Sequence, residues 1–376
     1  MTDTTHQQLL DNASAFALDT VAPGAEQWNR DGRIPDAVYK QAAELGLCRL
    51  KVPVSEGGHG LDATLMTQVL ERIAAQCFAT AFSFVVHNNL TGRLAQIASD
   101  GIKNQHLSGL MSGERIGAFL LTEPGVGSDA TAITTRAERV DGGWKLNGEK
   151  AWISNTAVAS TLSVYAQTDP EAGARGIGCF IVDASTPGVV RLPGYDLLGG
   201  HALGTGGFEL HDCVVGDEAM MVAPGDGFRA AMQGIDLARI NVAAMCAGML
   251  ERALDVATEY VSSRTAFGKT VSAFQGVQWM LADVATDLVA VRLLAADAAR
   301  LSDAGEAVTV AAAHAKKFAT RVALSRIADC MQVMGATGLS REFPLARHLA
   351  AAKMAQYLDG ATEIQNVVIS RALFKR

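Results

Sequence analysis

The sequence predicts an α+β protein that is mostly α-helical: an N-terminal helical domain, a middle β domain of barrel-like or sandwich form, and a C-terminal four-helix bundle. Three observations lead to this fold class. Apolar residues recur at spacings of three and four in the first and last thirds of the chain. Short apolar or alternating runs, separated by glycine and proline, occupy only the middle. Because strands and helices do not alternate, the pattern argues against an α/β fold.

The composition is that of a globular protein with two or three domains. The 376 residues are 49% hydrophobic and 19% charged, so the chain can bury a large core without disulfides. A net charge of −7 argues against a nucleic-acid groove. No long apolar run and no signal-peptide pattern is present, so we expect no membrane contact and a cytoplasmic location. The six cysteines and the histidines lack metal-ligand spacing, so no metal site is expected.

Changes of periodicity predict three domains. Residues 1–115 carry helical spacing and form the N-terminal domain. Residues 116–225 hold the strand candidates, and the Asp-Gly-Gly sequence at 141–143 predicts a hairpin. Residues 226–376 form the bundle, where the apolar stripe at 277–294 is typical of a long packed helix.

Two strings in the middle domain carry the functional signal. Residues 121–129, LTEPGVGSD, follow a predicted strand and offer backbone N–H groups and small hydroxyls to a flat polar ligand. An ordinary tight turn is an equally good interpretation of this string. Residues 147–155, NGEKAWISN, place Trp152 and Ser154 two apart, which would put an aromatic plane and a hydroxyl on one strand face. The alternative is a half-buried tryptophan without a ligand.

These strings resemble the signatures of the acyl-CoA dehydrogenase family, FAD-dependent enzymes that oxidise acyl thioesters at the α,β bond. The first resembles the family's T-E-P-G-x-G-S-D signature and the second its N-G-x-K-x-W-I-[ST]-N signature. Three C-terminal segments also resemble family segments, at residues 259–275, 332–344 and 359–365. The matches run in order along essentially the whole chain, and they imply the helix–strand–helix architecture that periodicity predicts.

The resemblance implies FAD as the cofactor, lying between the middle domain and the bundle. The residues that match its binding positions are Thr122, Gly127, Ser128, Trp152, Ser154, Arg264, Phe267, Gln275, Gln332 and Gly335. Those from Arg264 onward are expected to reach the FAD of a neighbouring subunit, with Arg264 on its pyrophosphate, because a guanidinium binds such a dianion by charge-assisted hydrogen bonds. A shared site implies a homo-oligomer, a homotetramer built as a dimer of dimers.

The resemblance also implies an acyl-CoA or another acyl thioester as substrate and an electron-transfer flavoprotein as electron acceptor. Asp236 and Arg239 match positions that hold the CoA moiety. In the family, a carboxylate removes the α-proton while a β-hydride passes to flavin N5. The flavin ribityl hydroxyl and the backbone N–H of the base residue stabilise the enolate through hydrogen bonds to the thioester carbonyl. Desolvation by the acyl chain raises the pKa of the base.

Asp359 stands where the family usually has its catalytic glutamate. The arm is one CH₂ shorter, about 1.5 Å of reach by single-bond geometry. The family's other position for the base holds Ala238 here, and Glu363 lies one turn further on. Asp359 is therefore the candidate base, and the alternative is a capping role before Gly360.

Three functions stay open on the sequence. The first is dehydrogenation of a short, branched, cyclic or otherwise unusual acyl thioester, carried by CoA or by a carrier protein. The second is elimination or desulfination without net oxidation, as in relatives that lack the usual glutamate. The third is a non-catalytic subunit of a hetero-oligomer, suggested by Asp359 and by Ala361 at a common threonine position. The intact middle-domain strings argue against the third.

Overall fold

The computed structural model describes residues 3–374 and has the predicted helix–strand–helix order. A π-helical stretch, Phe16–Val21, separates the first two helices. The helices before the first strand are α1 (Asp3–Ala15), α2 (Ala22–Asp31), α3 (Asp36–Glu44), α4 (Ala63–Gln76), α5 (Phe78–Ile97) and α6 (Asp100–Met111). Secondary structure changes at residues 111–117 and again at 222–227, close to the predicted domain boundaries, which themselves stay predictions.

Helix α5 is the central element of the N-terminal region. It is apolar around most of its circumference and buried along most of its length, as expected for a helix inside a core. Its polar residues serve the neighbouring backbone. Asn88 accepts a hydrogen bond from the Leu50 N–H and donates one to the Leu47 carbonyl, each of 2.9 Å. These bonds hold the segment after α3 against α5, which matters because both line the cavity described below.

The middle region folds into one eight-stranded sheet. Its strands are β1 (Gly117–Leu120), β2 (Arg136–Val140), β3 (Gly143–Ile153), β4 (Thr161–Gln167), β5 (Ile177–Asp183), β6 (Val189–Arg191), β7 (Gly206–Gly216) and β8 (Met220–Val222). Pairing follows the order β6-β7-β3-β2-β4-β5-β8, and β1 pairs in parallel with β4. The short strands β6 and β8 lie at the two ends of this order.

Two halves of this sheet share one seam. Strands β2 and β4 are joined by a single parallel residue pair, Arg136 with Gln167. Side chains from both halves meet in one apolar core, to which Leu120 and Val164 contribute from one side and Phe208 from the other. The sheet therefore closes over its own core, in the barrel-like or sandwich form predicted.

The C-terminal region is helical. Its helices are α7 (Gly227–Ser263), α8 (Gln275–Asp303), α9 (Thr309–Val333), α10 (Leu345–Ala355) and α11 (Thr362–Phe374). Helices α7, α8 and α9 pack together, and α10 and α11 pack on α9. A two-stranded ribbon, β9 (Thr265–Ala266) with β10 (Lys269–Thr270), connects α7 to α8. Helix α4 also packs along α7, so one continuous apolar core spans both helical regions.

Within the described residues, no helix combines the length and the apolar character that a membrane crossing requires. The cytoplasmic location stays a prediction. All six cysteines are buried thiols without a disulfide.

Helices α4 and α7 approach each other closely at Gly248. A Cβ atom there would lie 2.1 Å from the Glu71 carbonyl oxygen. We expect Gly248→Ala to lower the free energy of unfolding by about 1–3 kcal/mol, because neither backbone can move without repacking the core. Gly234→Ala is the matched control in the same helix, since nothing lies within 4 Å of its Cβ position. It should raise stability by about 0.5–1 kcal/mol through helix propensity. Denaturant unfolding measures both, and similar effects of the two variants would contradict the close approach.

Candidate active site

The two middle-domain strings lie side by side. The Ala151 N–H donates a 3.0 Å hydrogen bond to the Thr122 carbonyl. The pairing of β3 with β7 shifts register between Lys150 and Ile153, and Trp152 within this bulge has a φ of +60°. The bulge leaves the Trp152 side chain exposed and packed against Tyr195, with ring centroids 4.5 Å apart and ring planes tilted by 36°. Ser154 lies past the end of β3, so the two-residue period does not decide which way it faces.

A buried ion pair locks the strings together. Lys150 Nζ donates to Glu123 Oε1 and to the Leu121 carbonyl, each at 2.9 Å. Glu123 also accepts from the backbone N–H groups of Thr134 and Thr135, at 2.7 and 2.9 Å. Burial alone would raise the pKa of Glu123, but the Lys150 ammonium and these hydrogen bonds lower it to about 2. Both residues belong to the two strings, but no pattern in the sequence predicts that they pair.

The loop that follows Thr122 fits a flat polar cofactor. Among the described residues, the hydroxyls of Thr122, Ser128 and Ser154 have no hydrogen-bond partner. No atom lies within 4 Å of where a Cβ would stand at Gly127, so the loop backbone is open on that side. Free hydroxyls, open backbone and the exposed Trp152 ring therefore suit the FAD that the sequence implies.

The C-terminal residues that the sequence assigns to FAD lie elsewhere on the chain. All five are exposed: Arg264, Phe267, Gln275, Gln332 and Gly335. They belong to two neighbouring stretches, because the Tyr260 hydroxyl donates a 3.0 Å hydrogen bond to Thr337 Oγ1. Phe267, in the ribbon turn, is 96% exposed with a φ of +53°. None of the five lines the cavity that holds Asp359, so their expected role toward a second subunit's cofactor stays a prediction.

Asp359 lies on the wall of a cavity of about 530 Å³. The wall is formed by α5, the first turns of α7, the α8–α9 connection and one side of the sheet. Its apolar part includes Phe82, Val85, Val86, Leu90, Phe119 and Leu237. A largely apolar cavity with a few polar groups is the usual form of a small-molecule site.

The backbone around Asp359 is held in an uncommon conformation. Asp359 and Gly360 have φ values of +52° and +94°, in a region that a residue with a side chain rarely adopts. Arg239 Nε donates a 2.9 Å hydrogen bond to the Asp359 carbonyl. Lys316 Nζ donates to the Gly360 carbonyl and, at 3.3 Å, to that of Gln356. These cations fix the turn, and they leave the Asp359 backbone N–H without a partner among the described residues.

The Asp359 carboxylate has the electrostatics of a general base. Its Oδ2 atom is buried and has no hydrogen-bond partner. Burial raises the pKa of Asp359 to about 6, although the charges of Lys316 and Arg239 act to lower it. Burial likewise lowers the pKa of Lys316 to about 8, against the opposing effect of Asp359. At neutral pH the carboxylate is thus ionised, poorly solvated and close to the protonation range useful for a base.

The other carboxylates near Asp359 are less suited to proton transfer. Asp236 also lines the cavity, but it pairs with Arg239 Nη1 at 2.8 Å and accepts from Thr309 Oγ1 at 2.6 Å. Glu363 is exposed and does not line the cavity. Ala238, at the family's other base position, lines it with a methyl group. Asp359 is therefore the candidate base on geometry as well as on motif position.

Arg239 has a structural task that sequence reasoning did not foresee. Its guanidinium contacts are Asp236 and the Asp359 carbonyl, so it positions the candidate base. The expected role of Asp236 and Arg239 in holding CoA stays a prediction. Lys316 was also missed, although a lysine within the alanine-rich stripe of α9 is a signal of a buried cation.

Comparison with known families and structures agrees with these features. Family models of the acyl-CoA dehydrogenase N-terminal, middle and C-terminal domains match residues 3–114, 118–213 and 225–374. The mouse (Mus musculus) mitochondrial short-chain specific acyl-CoA dehydrogenase is 36% identical over 372 residues, covering 99% of this chain and 90% of that protein.

Solved structures show the same fold. Butyryl-CoA dehydrogenase from Megasphaera elsdenii is 33% identical, with a TM-score of 0.94, covering 100% of this chain and 99% of that chain. A protein named PigA, solved as its FAD complex, is 25% identical, with a TM-score of 0.91, covering 99% of this chain and 98% of that chain. Family models over almost the whole chain and a relative above 30% identity lead to one conclusion: this chain belongs to the acyl-CoA dehydrogenase family of flavoprotein oxidoreductases.

Proposed function

We propose that the protein binds FAD and oxidises an acyl thioester, carried by CoA, at its α,β bond, with Asp359 as the base. The observation that carries this proposal is the buried, unpartnered Oδ2 atom of Asp359 on the wall of a mostly apolar cavity. The short-chain and butyryl specificities named for similar proteins support a short acyl group.

The residues of this chain divide the chemistry between them. Asp359 Oδ2 takes the proton from the substrate α-carbon, and burial keeps this oxygen free of water that would weaken it as a base. The free Asp359 backbone N–H is available to the thioester carbonyl, where negative charge develops as the α-proton leaves. Arg239 and Lys316 hold that N–H and the carboxylate in place through two successive carbonyls. When bound, FAD supplies the acceptor for the substrate β-hydride.

The cofactor would be held by Thr122, Gly127, Ser128, Trp152 and Ser154. Their free hydroxyls, open loop backbone and exposed indole support this assignment. We further propose that the chain forms a homotetramer, a dimer of dimers, and that an electron-transfer flavoprotein reoxidises it. Support for the oligomer comes from large apolar side chains that a single chain leaves exposed on the C-terminal helices and their connections: Phe267, Trp279, Leu293 and Leu339.

Asp359→Asn tests the base directly. It removes the proton acceptor but keeps the side-chain volume, so flavin should remain bound while the anaerobic bleaching rate with butyryl-CoA falls by about 10²–10⁴-fold. Glu363→Gln, one turn away and exposed, is the matched control and should retain the parent rate. If the Asp359→Asn enzyme bleaches at nearly the parent rate, Asp359 is not the base. Substrate turnover without any electron acceptor would instead favour the hypothesis that the protein catalyses an elimination or a desulfination.

The pH dependence tests the electrostatic setting of Asp359. Because the ionised carboxylate is the base, kcat/KM should rise as pH increases through about 6. The pKa of Lys316 lies near 8, so its ammonium is charged throughout that range and favours the ionised carboxylate. Lys316→Met removes this charge, so the rise should move to higher pH by about one pH unit or more.

The neighbouring Lys317 supplies the control for that experiment. Lys317→Met removes a lysine that makes no hydrogen bond or ion pair among the described residues, and its pH profile should match the parent's. A Lys316→Met enzyme that loses activity equally at all pH values, with no displaced profile, would show that Lys316 only supports the fold. Arg239, the other cation that lowers the pKa of Asp359, and its partner Asp236 are unchanged in both variants.

Subunit complementation tests the shared cofactor site. We expect Arg264→Ala to bind FAD more than tenfold more weakly, because a charge-assisted contact to the pyrophosphate is lost. If Arg264 serves the partner's FAD, a mixed dimer of Asp359→Asn and Arg264→Ala chains contains one fully intact site. Co-expression should therefore restore activity that neither variant has alone. If Arg264 serves its own chain, both sites of the mixed dimer stay defective. Arg300→Ala, on an exposed arginine of α8, is the control for nonspecific loss of flavin.

A further inference from the structure

Two cations on the cavity wall have no role in the chemistry above. Lys51 lies in the segment between α3 and α4, and Arg93 lies in the last turns of α5. Both line the same cavity as Asp359. Lys51 Nζ donates a 3.2 Å hydrogen bond to Asn89 Oδ1, a neutral acceptor. Arg93 makes no hydrogen bond or ion pair with any described residue.

Neither cation has a carboxylate partner among residues 3–374. The other acidic groups on the wall are Asp236, which is paired with Arg239, the exposed Glu306, and Asp359 itself. The charges of Lys51 and Arg93 oppose each other: burial and the Arg93 guanidinium lower the pKa of Lys51 to about 8. Two like charges at the edge of an apolar cavity cost stability unless an anion joins them. Since no residue that the structure describes supplies such an anion, the arrangement calls for one from a ligand.

One stripe along α5 shows where that ligand group would lie. Several residues of this helix that line the cavity are three or four positions apart, so they lie on one face. They are Phe82, Val85, Val86, Asn89, Arg93 and Gln96. Toward the C-terminal end of the helix the stripe carries Asn89, Arg93 and Gln96, with the apolar Leu90 among them. Tyr165, from β4, also lines the cavity and is close enough to Arg93 for the guanidinium charge to act on its pKa. The cavity wall thus combines an apolar surface with polar and cationic groups toward the C-terminal end of α5.

We propose that Lys51 and Arg93 form an anion-binding subsite that holds a charged group of the thioester substrate. This proposal rests on the proposed function and adds a requirement to it: the ligand carries an oxyanion at a distance from the thioester. A planar guanidinium next to a compact ammonium suits a carboxylate or a phosphate equally. The group is therefore either a carboxylate at the far end of the acyl chain or a phosphate of the carrier arm.

Four ligands separate these two sources. Butyryl-pantetheine carries neither anion, butyryl-CoA carries only phosphates, glutaryl-pantetheine carries only the carboxylate, and glutaryl-CoA carries both. Dissociation constants are measured by calorimetry on the FAD-loaded oligomer in the Asp359→Asn background, where turnover does not interfere. Lys51→Met and Arg93→Met are each added to that background. Each should weaken binding of ligands with the recognised anion by about 10–100-fold and leave butyryl-pantetheine unchanged.

The pattern of losses identifies the group. Weaker binding of both CoA thioesters, with both pantetheine thioesters unaffected, assigns the subsite to a phosphate of the carrier arm. Weaker binding of both glutaryl thioesters assigns it to the acyl carboxylate. Unchanged binding of all four ligands overturns the proposal, and so does an equal loss for all four, because the cations would then act on the fold rather than on an anion.

Two control variants distinguish a loss of anion binding from a nonspecific effect of the substitution. Arg93→Lys keeps the charge and should recover part of the affinity that Arg93→Met loses. Lys40→Met, on an exposed lysine of α3 outside the cavity, should bind all four ligands as the parent does. The proposed function is scored separately, by flavin bleaching in the enzyme with Asp359 intact. Anion-selective losses without bleaching by either CoA thioester would reject dehydrogenation and leave the subsite standing.

Discussion

The geometry of the candidate site depends on two cationic side chains that donate hydrogen bonds to the backbone of the Asp359–Gly360 turn. Arg239, from α7, and Lys316, from α9, each donate to a carbonyl of the Asp359–Gly360 turn. Both residues of this turn have positive φ, which an aspartate does not adopt without support. The same two cations also stabilise the ionised carboxylate that burial destabilises. One pair of contacts therefore acts on both the backbone geometry of the turn and the pKa of the Asp359 carboxyl, which burial raises.

In both the middle domain and the bundle, a buried lysine lies beside a carboxylate and donates hydrogen bonds to backbone carbonyls. In the middle domain, Lys150 reaches a backbone carbonyl and the Glu123 carboxylate from a buried position. In the bundle, Lys316 reaches backbone carbonyls beside the Asp359 carboxylate. The difference lies in how the carboxylate is satisfied. Glu123 accepts several hydrogen bonds and its pKa falls, whereas Asp359 keeps one oxygen bare and its pKa rises. The Glu123 carboxylate is thereby fully hydrogen-bonded, and the Asp359 carboxylate is left available for the proposed proton transfer.

Local patterns in the sequence predict the architecture well, because helices and strands here follow their periodicities. The stripe at 277–294 lies within α8, and the Asp-Gly-Gly hairpin joins β2 to β3 with Gly142 at a φ of +71°. The bulge at Trp152 could not be predicted, since it arises from pairing with β7, a strand about fifty residues away in the chain. The motif position identifies Asp359, but the residues that hold and tune it lie far away in sequence. Lys316 and Gly360 are 44 residues apart, and Lys51 and Asn89 are 38 apart.

Helix α4 contributes no side chain to the cavity, yet it lies against both helices that bound it. It packs on α5, which carries the apolar and cationic stripe, and it meets α7 backbone to backbone at Gly248. The α4 side chains that pack on α5 and α7 therefore influence the distance between these two helices, although they do not line the cavity. Substitutions in α4 would then reshape the cavity proposed for the substrate, while Asp359, Arg239 and Lys316 stay unchanged.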